Sequence, residues 1–166
     1  MSVASDILKH HQIFVDGVGF AGNSEEVQLP SLKFIEEDFR GGGMHASVGI
    51  IMGMEKLETS FVLPGSSREV MRRLGLPGTQ ITVRGSLESG NGTKTPVVVQ
   101  MRGAIVGQES AAWKSGDKST WTFSGSLTYY RYEQGGEVIH EIDVPNMVCI
   151  VNGVDLLADH RANIGL

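Results

Sequence analysis

TQITVRGSLE, residues 79–88, alternates apolar and polar side chains, with Ile81, Val83 and Leu87 on one side and Gln80, Thr82, Arg84, Ser86 and Glu88 on the other. A period of two marks a strand with one buried and one wet face. SGNGTK, residues 89–94, follows. Its Asn91-Gly92 pair predicts a type I′ turn, because both central positions of that turn need positive φ. TPVVVQMRGAIVG, residues 95–107, then resumes extended character, and the three segments together predict a β-hairpin.

The same pattern recurs on both sides of this hairpin. In STWTFSGSLTYYRYEQGGEVIHEIDVPNMVCIV, residues 119–151, Trp121, Phe123, Leu127 and Tyr129 alternate with Thr120, Thr122, Ser124, Ser126 and Thr128, and Gly135-Gly136 supplies a turn. KLETSFVL, residues 56–63, places Leu57, Thr59, Phe61 and Leu63 on one side, and HQIFVDGVGFAG, residues 11–22, reads as two short extended pieces around Asp16-Gly17. One helix interrupts the strands. Ser66 with Glu69 three residues later has the spacing of a capping box, Gly75 stops the helix and Pro77 prevents its resumption. Val70, Met71 and Leu74 form its apolar face, and Arg68, Arg72 and Arg73 lie elsewhere as a solvated face. VDLLADHRANIGL, residues 154–166, fits one or two turns of helix before an apolar tail. The expected fold class is mainly β with one short helix, in a single domain over residues 1–166.

Composition narrows the function. Lys plus Arg number 14 against 19 Asp plus Glu, and a formal charge of −5 argues against a general nucleic-acid binder, whose affinity comes from positive surface. The single cysteine, Cys149, excludes an intrachain disulfide and favours a reduced compartment. MSVASDILKHHQIF at the start has neither the basic end nor the apolar stretch of a signal peptide, and no apolar run approaches the roughly 18 residues that span a bilayer.

Candidate chemistry is sparse. Gly41-Gly42-Gly43 lies outside a phosphate-binding frame, since Met44-His45-Ala46 stands where the lysine and hydroxyl belong, and Glu36, Glu37 and Asp38 would oppose a phosphate. Three glycines instead suit a sharp bend, or the close approach of another backbone. None of the five histidines (His10, His11, His45, His140, His160) recurs at a structural zinc spacing, so no metal is expected. His140, Asp143 and Cys149 invite a nucleophilic triad, which is set aside on the expectation that His140 and Cys149, nine positions apart, face opposite sides. Glu141 and Asp143 share one strand face, either as an acid–base pair or as a solvated or interfacial face. Trp113 and Trp121 flank a polar loop and are expected to anchor its hairpin.

Four motifs in order carry a family resemblance: Phe39-Arg40-Gly41-Gly42-Gly43-Met44; Glu141-Ile142-Asp143 followed by Asn146-Met147; Val151-Asn152-Gly153-Val154-Asp155; and His160-Arg161-Ala162-Asn163-Ile164-Gly165-Leu166. Together they resemble the major tail tube protein of contractile-tailed bacteriophages. The likeness runs from about Leu8 to Leu166, is strongest over the last 30 or so residues, and is weakest at Gly49–Thr59 and Gln108–Thr120.

The resemblance implies a structural protein with no enzymatic activity and no cofactor. It implies a β-sandwich or barrel-like subunit whose strands join those of its neighbours into a continuous inner barrel of a hexameric ring. Such rings stack into a tube inside a contractile sheath, assembled in the bacterial host cytoplasm as part of the virion tail. The implied partners are further copies of the chain, the tail sheath protein, and the baseplate, tape-measure and tail terminator proteins, with DNA passing through the lumen without specific binding. Six copies at −5 would carry roughly −30 per ring, a like-charged wall for DNA.

An extended loop at about 33–56 is the implied inter-subunit arm, with Arg40, Gly41, Gly42, Gly43 and Met44 at its tip. Asn146, Asn152, Gly153, Asp155, His160, Arg161 and Asn163 are implied interface residues, and Arg68, Arg72 and Arg73 a sheath contact. Headless contractile bacteriocins and, more distantly, the type VI secretion tube are alternatives of the same architecture. A small hydrolase using Glu141 and Asp143 is the alternative of another class.

Overall fold

The computed structural model describes residues 5–65 and 67–166. Twelve strands and two helices follow in the order β1 (Ile7–Val15), β2 (Val18–Gly19), β3 (Glu26–Gln28), β4 (Phe34–Phe39), β5 (Val48–Met54), β6 (Leu57–Pro64), α1 (Arg68–Met71), β7 (Thr79–Glu88), β8 (Lys94–Ser110), β9 (Thr120–Gln134), β10 (Glu137–Asp143), β11 (Val148–Val151), β12 (Val154–Asp155) and α2 (Ala158–Ile164). Ten strands form one sheet in the order β12-β11-β10-β9-β8-β7-β1-β2, with β6 branching from β9 and β3 pairing β6; β4 and β5 form a separate two-stranded sheet. Every pairing between these strands is antiparallel. The architecture is sandwich-like, with no closed barrel among the described residues. α2 provides the one or two helical turns expected near the C-terminus, so the fold has two short helices where the fold class named one.

The alternation reads out as burial. Ile81 and Val83 of β7, and Leu57, Thr59, Phe61 and Leu63 of β6, all point into the core, joined by Ile13 and Val15 of β1 and by Val97, Val99, Met101 and Ile105 of β8. Phe61 and Phe123 are cross-strand partners with ring centroids 5.4 Å apart, stacked at 25°. Each large apolar side chain removed from water in this way contributes about 1.5–3 kcal/mol.

Both layers depend on one bend. β8 pairs with β7 through its first ten residues, Lys94–Gly103, and with β9 from Val97 to Ser110, so its first half lies between two neighbours and its last seven residues pair with β9 alone. The register slips where Arg102 faces Tyr129 but Gly103 faces Leu127, leaving Thr128 as an extra residue in β9. A bulge of this kind bends and twists the strand. Gly103 makes the approach sterically feasible: a Cβ there would fall inside the shell of the Ser126 carbonyl oxygen and only 2.8 Å from Leu127 Cα.

The bulge also shifts the phase of β9. Phe123, Gly125 and Leu127 face inward, but beyond Thr128 it is Tyr130 that is buried. Tyr129, expected on the inner face, is therefore turned outward, where Arg102 lies 5.0 Å from its ring centroid.

Two other local expectations change. Asn91-Gly92 does not form a type I′ turn: only Gly92 has positive φ, at 85°, and its amide donates to Ser89 O at 2.8 Å. The connection is a five-residue loop with Gly92 in the left-handed position, and Asn91 Oδ1 accepts from Thr93 N at 3.0 Å. By contrast Asp16-Gly17 and Gly135-Gly136 each take positive φ at both positions. The first helix is a single turn whose N-cap is Ser67, with no side-chain capping bond, and Ser66 lies outside the described residues. Val70 is fully buried, while Leu74, expected beside it, is largely exposed because the chain has already left the helix for a bridge to Ile105. Gly75, with φ 77°, ends the segment as expected.

Gly103→Ala is predicted to cost about 3 kcal/mol or more in denaturant unfolding, since backbone rather than a movable side chain occupies the space. Gly107→Ala is the matched control. Its Cβ would meet Ser124 Cβ at an ordinary 3.5 Å, and a loss within about 0.5 kcal/mol is expected. Equal losses in the two variants would contradict the bend as described.

Candidate assembly interface

β4 and β5 stand apart from the main sheet as a two-stranded ribbon. Phe39 faces Val48, Glu37 faces Ile50 and Glu36 faces Ile51, and the register then slips so that Ile35 faces Gly53, with Met52 as the extra residue. Alternation along the strands places Ile35, Glu37 and Phe39 with Val48 and Ile50 on one side. All four apolar members of that side are exposed. The other side carries Phe34, Ile51 and Met54 near the root and Glu36 and Asp38 towards the tip. A lone two-stranded ribbon is marginal in water, and an apolar stripe on it calls for a covering partner.

The glycine loop at the tip divides into two roles. Met44 N donates to Gly41 O at 3.2 Å, closing a turn in which Gly43 has φ 85°. That position requires glycine for a local reason. Gly42 has no such constraint, for its φ is not positive and a Cβ there would meet nothing within 4 Å. Arg40 Nε donates to Met44 O at 3.3 Å and Gly41 N to Met44 Sδ at 3.2 Å, so Arg40 and Met44 brace the turn.

The C-terminal residues named from sequence are gathered in one place. Asn152 and Gly153, with φ of 50° and 78°, make the tight turn between β11 and β12. Asn146 lies in the β10–β11 turn and donates from Nδ2 to Asp143 Oδ2 at 2.8 Å. Arg161 bridges this region to α2: Nη1 donates to Met147 O at 2.7 Å and Nη2 to Asp155 Oδ2 at 2.5 Å. The Arg161 hydrogen bond, followed by the Leu157 amide, holds the Asp155 carboxyl below its usual range. His160 and Asn163 are exposed, as is every other residue of α2 except Arg161.

Between the root of the ribbon and the C-terminal hairpin lies a cleft of about 830 Å³, walled by Phe34, Met54, Leu127, Ile142, Val148 and Leu156, with Asp143 and His160 among its polar groups. Glu141 does not line it. Instead it accepts from Tyr129 Oη at 3.1 Å, so the two carboxylates engage separate partners. Burial, then that bond, raises the Tyr129 pKa.

His140 and Cys149 require a correction. They lie in adjacent strands, and because Ile142 faces Cys149, His140 is on the same side as Cys149, not opposite it. No hydrogen bond joins them among the described residues. Burial, and secondarily Asp155, push the Cys149 thiol up, away from the thiolate a nucleophile needs.

On the remaining surface, Arg73 is tied to Asp16 Oδ2 at 2.8 Å, whereas Arg68 and Arg72 make no ion pair among the described residues. Trp121 packs against the core as expected, but Trp113 is 77% exposed.

Residues 5–165 match the family described as phage tail tube protein FII. The chain belongs to the phage tail tube family. It is 33% identical over 166 residues to the tail tube protein of Escherichia phage P2, covering 96% of each, and 30% identical over 155 residues to the major tail tube protein of Serratia phage KSP20, covering 92% of this chain and 91% of that one. Among solved structures it is similar to a chain of the sheath-tube complex of an extracellular contractile injection system in its extended state. The TM-score is 0.56 at 12% identity, over 75% of this chain and 87% of that one. A chain of the tube-terminating cap of the anti-feeding prophage gives 0.57 at 10% identity, over 74% and 87%. At these identities the structures speak for the fold alone. As a member of this family the tail tube protein is a structural component of the virion tail, and no described helix is long and apolar enough to cross a membrane.

Sequence reading did not single out Ile35, Val48, Ile50 or the cleft, and it placed Trp113 as a hairpin anchor where the structure leaves it exposed. The signal for the first three was present: FIEEDF and VGIIMGM flank the glycine loop as a hairpin would.

Arg161→Ala is predicted to release α2, seen as faster amide exchange at residues 161–166 with the β7–β8 amides unchanged. Acid should do the same. The depressed folded-state pKa of Asp155 means its contribution is complete above the ordinary carboxylate value of about 3.9 and is lost as pH falls below it, through the folded pKa. Loosening of α2 already between pH 7 and 5 would contradict this anchor.

Proposed function

We propose that the protein builds the inner tail tube as stacked hexameric rings within a contractile sheath, with the ribbon at about 33–56 as the arm that joins subunits. The observation that carries this reading is the ribbon itself. Its stripe of Ile35, Phe39, Val48 and Ile50 is exposed and has no cover among the described residues. The main sheet adds a second argument, since it ends on open edges at β2 and β12, and open edges are templates for pairing with another chain. Edge pairing that closes on itself gives a ring whose strands run on from subunit to subunit as an inner barrel. A contact that does not close propagates a filament.

In this reading Gly42 is small so that a neighbour's backbone can approach, and Arg40, Gly41, Gly43 and Met44 hold the tip in shape for that contact. The exposed His160 and Asn163 of α2 meet another copy, while Asn146, Asn152, Gly153, Asp155 and Arg161 shape the surface they stand on. The net charge of −5 supports a conduit through which DNA passes without adhering. Sheath, baseplate, tape-measure and terminator proteins are the expected partners in a complete tail. The role is structural and not catalytic, in keeping with the separate engagement of Glu141 and Asp143.

Electron microscopy of the purified protein over a concentration series, paired with its mass in solution, tests the proposal. Rings of one diameter and hollow tubes are expected, and a protein that stays monomeric throughout would overturn it. The double variant Phe39→Ser, Ile50→Ser should keep its unfolding free energy within about 0.5 kcal/mol, because both side chains are exposed in the monomer, yet fail to assemble. Gly42→Val should likewise fold normally and impair assembly.

A further inference from the structure

The tip turn of the ribbon is closed by a sulfur. Three of the seven methionines, Met44, Met52 and Met54, lie in the segment 33–56. Among the described residues Met44 alone uses its thioether in a hydrogen bond: Gly41 N donates to Met44 Sδ at 3.2 Å, while Met44 N donates to Gly41 O at 3.2 Å. The two bonds run in opposite directions between the same two residues and hold the turn from both sides. A Cβ built on Gly41 would sit 3.5 Å from Phe39 Cε1 and 3.6 Å from Met44 Sδ, so the ring and the sulfur stand on the same side of Gly41. Sulfur close to an aromatic ring is itself a favourable contact.

This closure is weak and chemically alterable. A thioether is a poor acceptor, and two-electron oxidants convert it into a polar, chiral sulfoxide. Met44 is half-buried, within reach of a small oxidant, whereas Met101, at 2% exposure, is sealed in the core. Met52 is more open, at 59% exposure, but its sulfur holds nothing among the described residues. Oxygen added to Met52 makes a wet side chain more polar. Oxygen added to Met44 lands on the atom that closes the turn.

We infer that Met44 is a redox modification site, taking its oxygen from a peroxide, and that its oxidation state sets the shape of the ribbon's tip. The sulfur lone pair that Gly41 does not engage attacks one peroxide oxygen, and the O–O bond breaks. That oxygen stays on the sulfur and the other leaves as water, so the thioether gives up two electrons and the peroxide accepts them. The new oxygen is a better acceptor than the sulfur it covers. An amide N–H meets such an oxygen at about 2.9–3.0 Å, which pushes the sulfur back from Gly41 N by roughly the length of the new bond. Met44 then leaves its place beside Phe39. Arg40, already bonded to Met44 O at 3.3 Å, offers the oxygen a competing charged donor. The inference rests on the assembly reading, in which the tip must keep its shape to meet another copy, and adds a control to it. The subunit is competent with Met44 reduced, loses competence on oxidation, and regains it when a sulfoxide reductase removes the oxygen.

Hydrogen peroxide added to the free subunit tests this, with peptide mass mapping, the Gly41 amide resonance and electron microscopy of tubes read on the same samples. Met44 should gain one oxygen, the Gly41 resonance should move and tube formation should be lost, and a sulfoxide reductase should reverse all three. Met52→Leu should stay as sensitive to peroxide as the wild type. In Met44→Leu the Gly41 resonance should no longer respond to peroxide. Oxygen at Met52 with none at Met44, an unmoved Gly41 resonance once Met44 is oxidised, or oxidised subunits that form tubes as the reduced ones do would each overturn the inference and leave the assembly reading intact. A reduced wild type that forms no tubes overturns the assembly reading and with it the control on assembly, while the Gly41 resonance still decides whether Met44 resets the tip.

Discussion

Steric access at Gly103 governs the fold. Where β8 passes Ser126 and Leu127 there is no room for a side chain, and the extra residue Thr128 in β9 takes up the slip in register. That bend lets one pair of long strands serve two sets of neighbours: β7 and β10 on one half, β6 on the other. The buried faces of β1, β7 and β6 then meet in a single core around Phe61 and Phe123.

The core lies in the main sheet, and the arm lies outside it. The main sheet buries its apolar face within the chain, whereas β4 and β5 leave large apolar residues on both sides of a ribbon in contact with water. A ribbon of this size cannot support itself. The subunit folds around its main sheet and leaves the ribbon's apolar stripe exposed. An exposed stripe of this kind suits the proposed role in a tail tube, which is built from repeated contacts between copies.

Much of this was legible in residue order. The periods of residues 56–63 and 79–88 give β6 and β7 with the correct inner faces, and Gly135-Gly136 gives its turn, because alternation and positive φ are local properties. Tyr129 was misplaced because a one-residue bulge leaves no mark in a Thr-Tyr-Tyr run that alternates plausibly in either phase. Asn91-Gly92 has the right residues for a type I′ turn, but the pairing of Glu88 with Lys94 leaves five residues between the strands. His140 and Cys149 were set on opposite faces by counting through a turn as if it were strand. The arm's apolar residues were not singled out, since an apolar strand residue in sequence does not record whether its own chain covers it. Motif likeness located the loop and the C-terminal cluster; only geometry separated Gly43, needed by its own turn, from Gly42, which is not.

Amide hydrogen exchange followed in the dilute subunit and in assembled tubes tests the claim that the arm is completed by another copy. The account predicts that β4 and β5 amides exchange quickly in the subunit and become protected on assembly, while β7 and β8 amides are protected in both. Arm amides already protected in the monomer, or still unprotected in tubes, would contradict it.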